Sequence, residues 1–183
     1  MHKLAIFVGS LRQGSYNRKL AKALEKLGAA HFACQYPDLN LPLYNDDLWQ
    51  DPPASVLQLK ADIAAADAVL FVTPEYNRSI SPVTKNAVDW GSRPFGQNAW
   101  KGKPAGIAGA SMGNIGTAVA QSHLRSSIVS LGVILMGQPE MYFTFKPDAI
   151  DDNGEVVEEK TRTFLQRYMD SLAKWVEVAR QMG

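Results

Sequence analysis

The 183-residue sequence has little of what marks disulfide-bonded, metal-binding or membrane-spanning proteins. Its single cysteine excludes an intramolecular disulfide and gives no sign of an oxidising compartment. Its three histidines, His2, His31 and His123, lie far apart without ligand-spaced companions, which argues against a structural zinc site. No apolar run approaches the roughly 18 residues that a membrane span needs. We therefore predict a cytoplasmic protein without a metal site or a membrane span.

The remaining composition is that of a globular protein. Hydrophobic residues make up 46% of the chain and charged residues 20%, as in ordinary folded domains. A chain of 183 residues favours one domain over two. A domain of this size buries roughly 70% of its unfolded surface and so needs no covalent staples. We predict a single domain over residues 1–183.

The net charge of +1 conceals an uneven distribution. Residues 1–26 carry six basic side chains and one acidic one, whereas residues 140–159 carry seven acidic side chains and one basic one. A nucleic-acid-binding face would need a broader basic surface and a pI above the value of 7.8. We therefore expect no nucleic-acid partner, and a local anion site at the basic end. The alternative for Arg18, Lys19, Lys22 and Lys26 is a solvated helix face.

Short apolar runs alternate with segments of helical periodicity along the chain. The predicted strands are 3–9, 31–36, 68–73, 104–110 and 133–136, and the predicted helices are 17–27, 56–66, 82–90, 117–131 and 158–182. This alternation predicts an α/β fold, with a five-stranded parallel sheet in a three-layer sandwich. Ligands of such folds bind at the carboxyl ends of the strands, so we expect the loops after the first, third and fourth strands to form the site.

The first of these loops, residues 9–17, joins a strand to a helix. Backbone N–H groups at a helix N-terminus attract phosphate, Ser10, Ser15 and Asn17 add polar side chains, and Arg12 can clamp an oxyanion. The alternative is that Ser15 only caps the helix. Both G-x-G-x-x-G and G-x-x-x-x-G-K-[ST] are missing, which favours a ligand with one terminal phosphate over a dinucleotide or a nucleoside triphosphate.

The second loop, residues 74–82, is bounded by two prolines and carries an aromatic, an amide and a guanidinium side chain. A flat heteroaromatic ligand suits this mixture, because it needs an apolar surface to pack on and backbone donors for its ring atoms. An ordinary proline-bounded loop is the alternative.

The third loop, residues 109–116, contains the G-x-S-x-G pattern of the hydrolase nucleophile elbow around Ser111. The hydrolase order is serine, carboxylate, histidine, but the one histidine after Ser111 is His123, with no carboxylate between them. We therefore reject a hydrolase and predict a glycine loop whose backbone approaches a ligand closely.

Together, G-S-L-R-x-G-S-x-N, P-E-Y-N-x-S-I and G-A-S-x-G resemble the NADPH-dependent FMN reductase family, with Ser81 preceding Pro82 after the second motif. The resemblance covers nearly the whole chain and is greatest to bacterial quinone and chromate reductases. It implies a flavodoxin-like fold. The residues that it assigns to FMN are Ser10, Arg12, Ser15, Tyr16 and Asn17 for the phosphate, Pro74, Glu75, Tyr76, Asn77 and Arg78 for the isoalloxazine, and Ser111 and Gly113 for the rest of the pocket.

The resemblance also implies an activity. NADH or NADPH would pass hydride to FMN, and a second substrate would then take the electrons in a ping-pong cycle, with no catalytic side chain needed. The implied acceptors are quinones, chromate, azo compounds and flavins, and the implied assembly is a homodimer or homotetramer. Arg93 joins Arg12 and Arg78 as a candidate for attracting anionic substrates, unless it forms only a surface ion pair. The alternative function is a non-enzymatic flavodoxin-type electron carrier.

Overall fold

The computed structural model describes residues 1–182, and Gly183, the last residue of the predicted domain, lies outside the described residues. A parallel sheet contains β1 (His2–Val8), β2 (Phe32–Gln35), β3 (Ala68–Val72), β6 (Pro104–Ser111), β7 (Ile134–Leu135) and β8 (Met141–Thr144). A separate antiparallel hairpin consists of β4 (Glu75–Tyr76) and β5 (Ser79–Ile80). The helices are α1 (Tyr16–Leu27), α2 (Ala54–Ala65), α3 (Pro82–Ser92), α4 (Ala118–Val129) and α5 (Glu159–Arg180), besides a short 3-10 helix at Asp46–Gln50.

The strand order confirms the predicted doubly wound sheet and corrects its last strand. The order is β2-β1-β3-β6, followed by a fifth position that β7 and β8 share, because both pair with β6. This is the flavodoxin-like order. The sequence predicted one strand at 133–136 for this position. It missed β8, whose four residues follow closely on Gly137 and Pro139, residues typical of a turn or loop.

A buried tyrosine joins α5 to the sheet. The hydroxyl of Tyr168, on α5, donates to Ile107 O at 2.8 Å, close to the point where the pairing of β6 passes from β7 to β8. A hydrogen-bonded side chain therefore fixes α5 on β6 beside the break between these two strands.

Apolar side chains fill both faces of the sheet. On one face α1 and α5 bury leucines such as Leu20 and Leu172 against β1, β3 and β6. On the other face, which α2, α3 and α4 cover, the indole of Trp100 packs edge-on to Phe7 at 5.2 Å between ring centroids. Because both faces are covered, the strand runs are almost wholly apolar, as predicted.

The amino edge of the sheet is closed by paired polar groups. Asp67 accepts a hydrogen bond from the backbone N–H of Lys3 at 2.8 Å and forms an ion pair with Arg180 at 2.9 Å. The backbone hydrogen bond from Lys3 and the Arg180 charge hold the pKa of Asp67 below its usual range, against a smaller effect of burial. Among residues 1–182, no helix is long and apolar enough to cross a bilayer.

Candidate functional site

The three loops singled out from the sequence meet at the carboxyl edge of the sheet. They follow β1, β3 and β6, which are neighbours in the sheet. The strand order reverses between β1 and β3, the place where open parallel sheets bind ligands. Two glycines let the surrounding elements close in, because a Cβ on Gly9 would lie 1.9 Å from Thr84 Oγ1 and one on Gly109 would lie 2.4 Å from the carbonyl oxygen of Thr73.

The loop after β1 presents a run of free backbone donors. In the described part of the chain, none of the seven amides of residues 11–17 donates a hydrogen bond. The buried side chains of Ser10 and Ser15 flank this run, and Ser15 Oγ also caps α1 by accepting from Arg18 N at 3.3 Å. Ser15 therefore caps the helix, as the alternative interpretation has it, and also lines the cavity. Free amides at a helix N-terminus form an anion site.

An arginine and an aromatic stack border this donor run. The Arg12 guanidinium lies 5.2 Å from the Tyr16 ring centroid, and within residues 1–182 it has no carboxylate at ion-pair distance. Tyr16 stacks on Phe145 at 4.5 Å between centroids and donates from its hydroxyl to Met112 Sδ at 3.3 Å. Phe145 was not predicted from the sequence, because it lies far along the chain in a segment without a motif. The uncompensated charge of Arg12 adds to the attraction for an anion.

The side chain of Asn17, for which the resemblance implied a phosphate contact, is hydrogen-bonded within the protein. Its amide nitrogen donates to Ala110 O at 2.9 Å, and its oxygen accepts from Ala110 N at the same distance. The side chain is buried. The side chain therefore links the first turn of α1 to the end of β6. Within residues 1–182, the backbone N–H of Asn17 remains free to donate to an anion.

The loop after β3 forms the β4–β5 hairpin. Asn77 and Arg78 make its turn in the left-handed region, with φ of 51° and 62°. The Glu75 carboxylate is turned away from solvent and accepts from Val119 N at 3.0 Å and Ala120 N at 3.1 Å, in the first turn of α4. Tyr76 stays 47% exposed at the mouth of the site.

The loop after β6 is held by its own serine. Ser111 Oγ donates to the carbonyl oxygen of Gly116 and accepts from Gly113 N at 3.2 Å. His123 instead contacts Ser79, with 3.0 Å between Nδ1 and Oγ. The rejection of a hydrolase is consistent with this geometry, because the histidine is engaged elsewhere.

Buried hydroxyl groups form the floor beneath the three loops. Ser81 Oγ donates to the carbonyl oxygen of Gly9 at 2.7 Å and accepts from Thr84 N as the N-cap of α3. Thr84 Oγ1 lies 3.2 Å from Thr73 Oγ1, at the end of β3. Every one of these hydroxyls has a partner, so the floor is rigid.

A cavity of about 220 Å³ lies between the loops and opens to solvent. It is lined by Ser10, Arg12, Ser15, Tyr16, Asn17, Pro74, Glu75, Tyr76, Ala110, Ser111 and Met112. Of the predicted contact residues, Asn77, Arg78 and Gly113 do not line it. Ala110 and Met112 line it without having been assigned to the cofactor from the motifs.

Arg93 lies in a separate depression, away from this lining. That depression is formed by Tyr44, Asp46, Trp49, Arg93, Pro94 and Phe95. The Arg93 side chain forms no ion pair among residues 1–182, so the alternative of a surface ion pair finds no support there. Its backbone carbonyl accepts from Lys60 Nζ, which fixes the segment.

The groups that could add other chemistry lie outside the cavity. Burial and, to a smaller extent, the charge of Glu25 raise the pKa of the Cys34 thiol to about 12, so the thiolate is scarce at neutral pH. No group of three or more metal-ligating side chains within residues 1–182 is placed to hold an ion.

The comparisons decide the family. The model of the family "NADPH-dependent FMN reductase" matches residues 2–148. The chain belongs to this family. It is 51% identical over 175 residues to a 2-hydroxy-1,4-benzoquinone reductase from Burkholderia sp., covering 95% of this chain and 96% of that protein.

Solved structures agree with the family assignment. The flavoenzyme NAD(P)H:(acceptor) oxidoreductase FerB from Paracoccus denitrificans superimposes with a TM-score of 0.94 at 46% identity, over 98% of this chain and 99% of that one. A mutant flavodoxin from Pseudomonas aeruginosa, at 21% identity and a TM-score of 0.59, covers 96% of this chain and 99% of its own, and it shows the fold alone. As a member of the FMN reductase family, this flavodoxin-like chain is an NAD(P)H-dependent flavin oxidoreductase with FMN as its cofactor.

Proposed function

We propose that the chain reduces quinones with NAD(P)H through FMN bound in the cavity at the carboxyl edge of the sheet. The observation that carries this proposal is the run of free amides at residues 11–17 beside that cavity. A monophosphate needs such donors, and the loop lacks the motifs that hold larger phosphate chains.

The residues of the three loops suit an FMN molecule in one orientation. The amides of residues 11–17, with Ser10, Ser15 and Arg12, would hold the phosphate, while Pro74 and Tyr76 would face the ring. When bound, FMN supplies the redox chemistry by accepting hydride from the nicotinamide and passing the electrons on to the acceptor. The protein binds and orients the ring. We propose that all the residues that the motifs assign serve the FMN site, with Asn77, Arg78 and Gly113 maintaining the shapes of the loops.

The rim of the cavity suits a flat apolar acceptor. Tyr76 and Met112 line the cavity and are 47% and 61% exposed, and Leu11 and Ile115, in the first and third loops, are 49% and 45% exposed. An exposed apolar rim of this kind binds ring compounds with little further selection. Quinones are therefore the acceptors that we propose first, in line with the named activity of the Burkholderia relative. Chromate, azo compounds and free flavins are further proposed acceptors, with Arg12 attracting the anionic ones.

The depression that holds Arg93 suits a partner subunit, so we propose a homodimer or homotetramer. Phe95 is 94% exposed and Leu43 is 80% exposed, beside the depression that holds Arg93. Exposed apolar residues in one region mark association surfaces. In such an assembly Arg93 of one copy would serve the substrate side of another. We further propose that residues 1–183 form one FMN-binding domain that works in the cytoplasm, since a lone cysteine offers no intramolecular disulfide that would suit an oxidising compartment.

A stopped-flow experiment tests the proposal. The protein, purified and loaded with FMN, is mixed anaerobically with NADH or NADPH and then with 1,4-benzoquinone. We expect bleaching of the flavin absorbance in the first mix and recovery in the second, and parallel double-reciprocal plots in steady state. If neither NADH nor NADPH bleached the absorbance of the bound flavin, the result would contradict the proposed enzymatic activity and favour an electron carrier. Intersecting plots would contradict the ping-pong order.

A further inference from the structure

We infer that Glu75 is a positioning residue, whose side chain fixes the β4–β5 hairpin on helix α4 and so sets the place of the flavin ring. The inference rests on the proposed function of the cavity. In this role the Glu75 carboxylate would affect the flavin ring indirectly, through the protein backbone. The resemblance implied only direct contact with the isoalloxazine.

The Glu75 side chain supplies a cap that α4 lacks locally. Thr117, the N-cap residue, makes no side-chain capping hydrogen bond. Glu75 Oε2 instead accepts from Val119 N at 3.0 Å and Ala120 N at 3.1 Å, across 44 and 45 positions of sequence. A carboxylate at this end of a helix also meets the positive end of the helix dipole. The bond pair therefore joins the second loop of the site to the helix that follows the third.

The other carboxylate oxygen closes the hairpin turn. Arg78 Nη1 donates to Glu75 Oε1 at 3.2 Å, across the turn whose residues Asn77 and Arg78 are left-handed. The hairpin is held to α4 a second time, where Ser79 Oγ meets His123 Nδ1 at 3.0 Å. Tyr76 lies between these two attachments. Its side chain is 47% exposed and belongs to neither core cluster, so its position depends on the hairpin backbone.

The same geometry separates the two halves of the ligand site. The free amides of residues 11–17 belong to α1 and its loop, which Asn17 ties to Ala110, whereas the hydrogen bonds of the Glu75 carboxylate go to Val119, Ala120 and Arg78. Removal of the Glu75 carboxylate should therefore loosen the ring side of the site and leave the phosphate side intact. A residue needed only for folding would weaken both sides alike.

The experiment compares two ligands on the same variants. Glu75→Ala and the conservative Glu75→Gln are titrated with FMN and, separately, with inorganic phosphate, using the FMN-free protein. We expect the FMN dissociation constant to rise about tenfold in Glu75→Ala, and by less in Glu75→Gln, which keeps an acceptor oxygen for the two amides. The dissociation constant for phosphate should stay within about twofold of wild type, since no contact of the anion site is altered.

Hydrogen exchange and a matched control complete the test. The amides of Val119 and Ala120 should exchange faster in Glu75→Ala, because their acceptor is gone. Glu155→Ala, which removes an exposed carboxylate paired with Lys26, should leave FMN binding and these amides unchanged. Unchanged FMN affinity in a folded Glu75→Ala, or equal loss of FMN and phosphate, would overturn the positioning role. Wild-type protein that fails to bind FMN would instead overturn the proposed function.

Discussion

The two edges of the sheet use their polar groups in opposite ways. At the amino edge, Asp67 is paired with the Lys3 amide and the Arg180 guanidinium. At the carboxyl edge, the amides of residues 11–17 have no partner within residues 1–182, and the Arg12 guanidinium has no carboxylate. Polar groups of the first kind contribute to the stability of the fold, whereas those of the second kind are available to a ligand.

The carboxyl edge nevertheless contains its own stabilising layer. The hydroxyls of Ser81 and Thr84 and the amide of Asn17 are buried and hydrogen-bonded directly behind the free donors. Paired groups therefore hold the unpaired ones in place. We call the buried, hydrogen-bonded groups and the residues packed on them the supporting layer, and the loop of residues 11–17 the donor layer. Substitutions in the supporting layer should change the stability of the fold, and those in the donor layer should change ligand binding.

The largest effect is expected in the supporting layer, at Gly109. In Gly109→Ala the new Cβ would lie 2.0 Å from Thr117 Oγ1 and 2.4 Å from the carbonyl oxygen of Thr73, which cannot move without the strand. We expect a loss of about 3 kcal/mol in the free energy of unfolding, measured by urea denaturation. Gly113→Ala is the control, since its Cβ would meet only Ser111 Oγ at 3.6 Å. Equal stability of the two variants would contradict the close packing.

The second prediction is in the donor layer, at Ser15. Ser15→Ala removes a helix cap and a hydroxyl beside the free amides, so we expect the FMN dissociation constant to rise about tenfold, with about 1 kcal/mol lost from stability. Fluorescence titration with FMN and thermal unfolding measure the two effects. Ser130→Ala, at the C-terminal end of α4, removes a hydroxyl bonded to Ser127 O and should leave FMN binding unchanged. A Ser15 variant with wild-type affinity would limit that serine to its capping role.

The third prediction uses pH to test the paired edge. The folded-state pKa of Asp67 is lowered, so its contribution to stability is present above the ordinary carboxyl pKa of about 4 and is lost as the pH falls through the folded value. Asp67→Asn should be about 1 kcal/mol less stable than wild type at pH 7. The difference should shrink toward zero at acid pH, below the folded value. Denaturant titrations at both pH values measure it, and a difference independent of pH would show that charge is not involved.

The smallest effect is expected at Arg93, outside the cavity. Arg93→Gln should raise the KM for an anionic acceptor about threefold at low salt, leave the KM for an uncharged quinone unchanged, and lose its effect in high salt. Steady-state rates with chromate and with benzoquinone measure this. Arg167→Gln, on α5, is the matched control. Unchanged KM values for both nicotinamide and chromate would remove Arg93 from the substrate site.

Local patterns predicted most of the fold and the place of the site. Strand runs such as that of β3 are apolar because both faces are covered, and the three motif loops follow the strands whose ends meet. What the sequence could not show were contacts between distant positions, such as Asn17 with Ala110 and Glu75 with the first turn of α4. A motif identifies residues that act together, but which of them touch the ligand and which touch one another depends on the packing of the whole sheet.

The divided fifth strand position also bears on how the molecule avoids uncontrolled association. An exposed sheet edge is a template to which another chain can add a strand. Here the outermost strand position on one side of the sheet contains two residues in β7 and four in β8, with a break between them. The outermost strand on the other side is β2, with four residues. Neither edge presents a long continuous row of free backbone groups. The division of this strand position into β7 and β8 thus protects the protein against edge-to-edge aggregation.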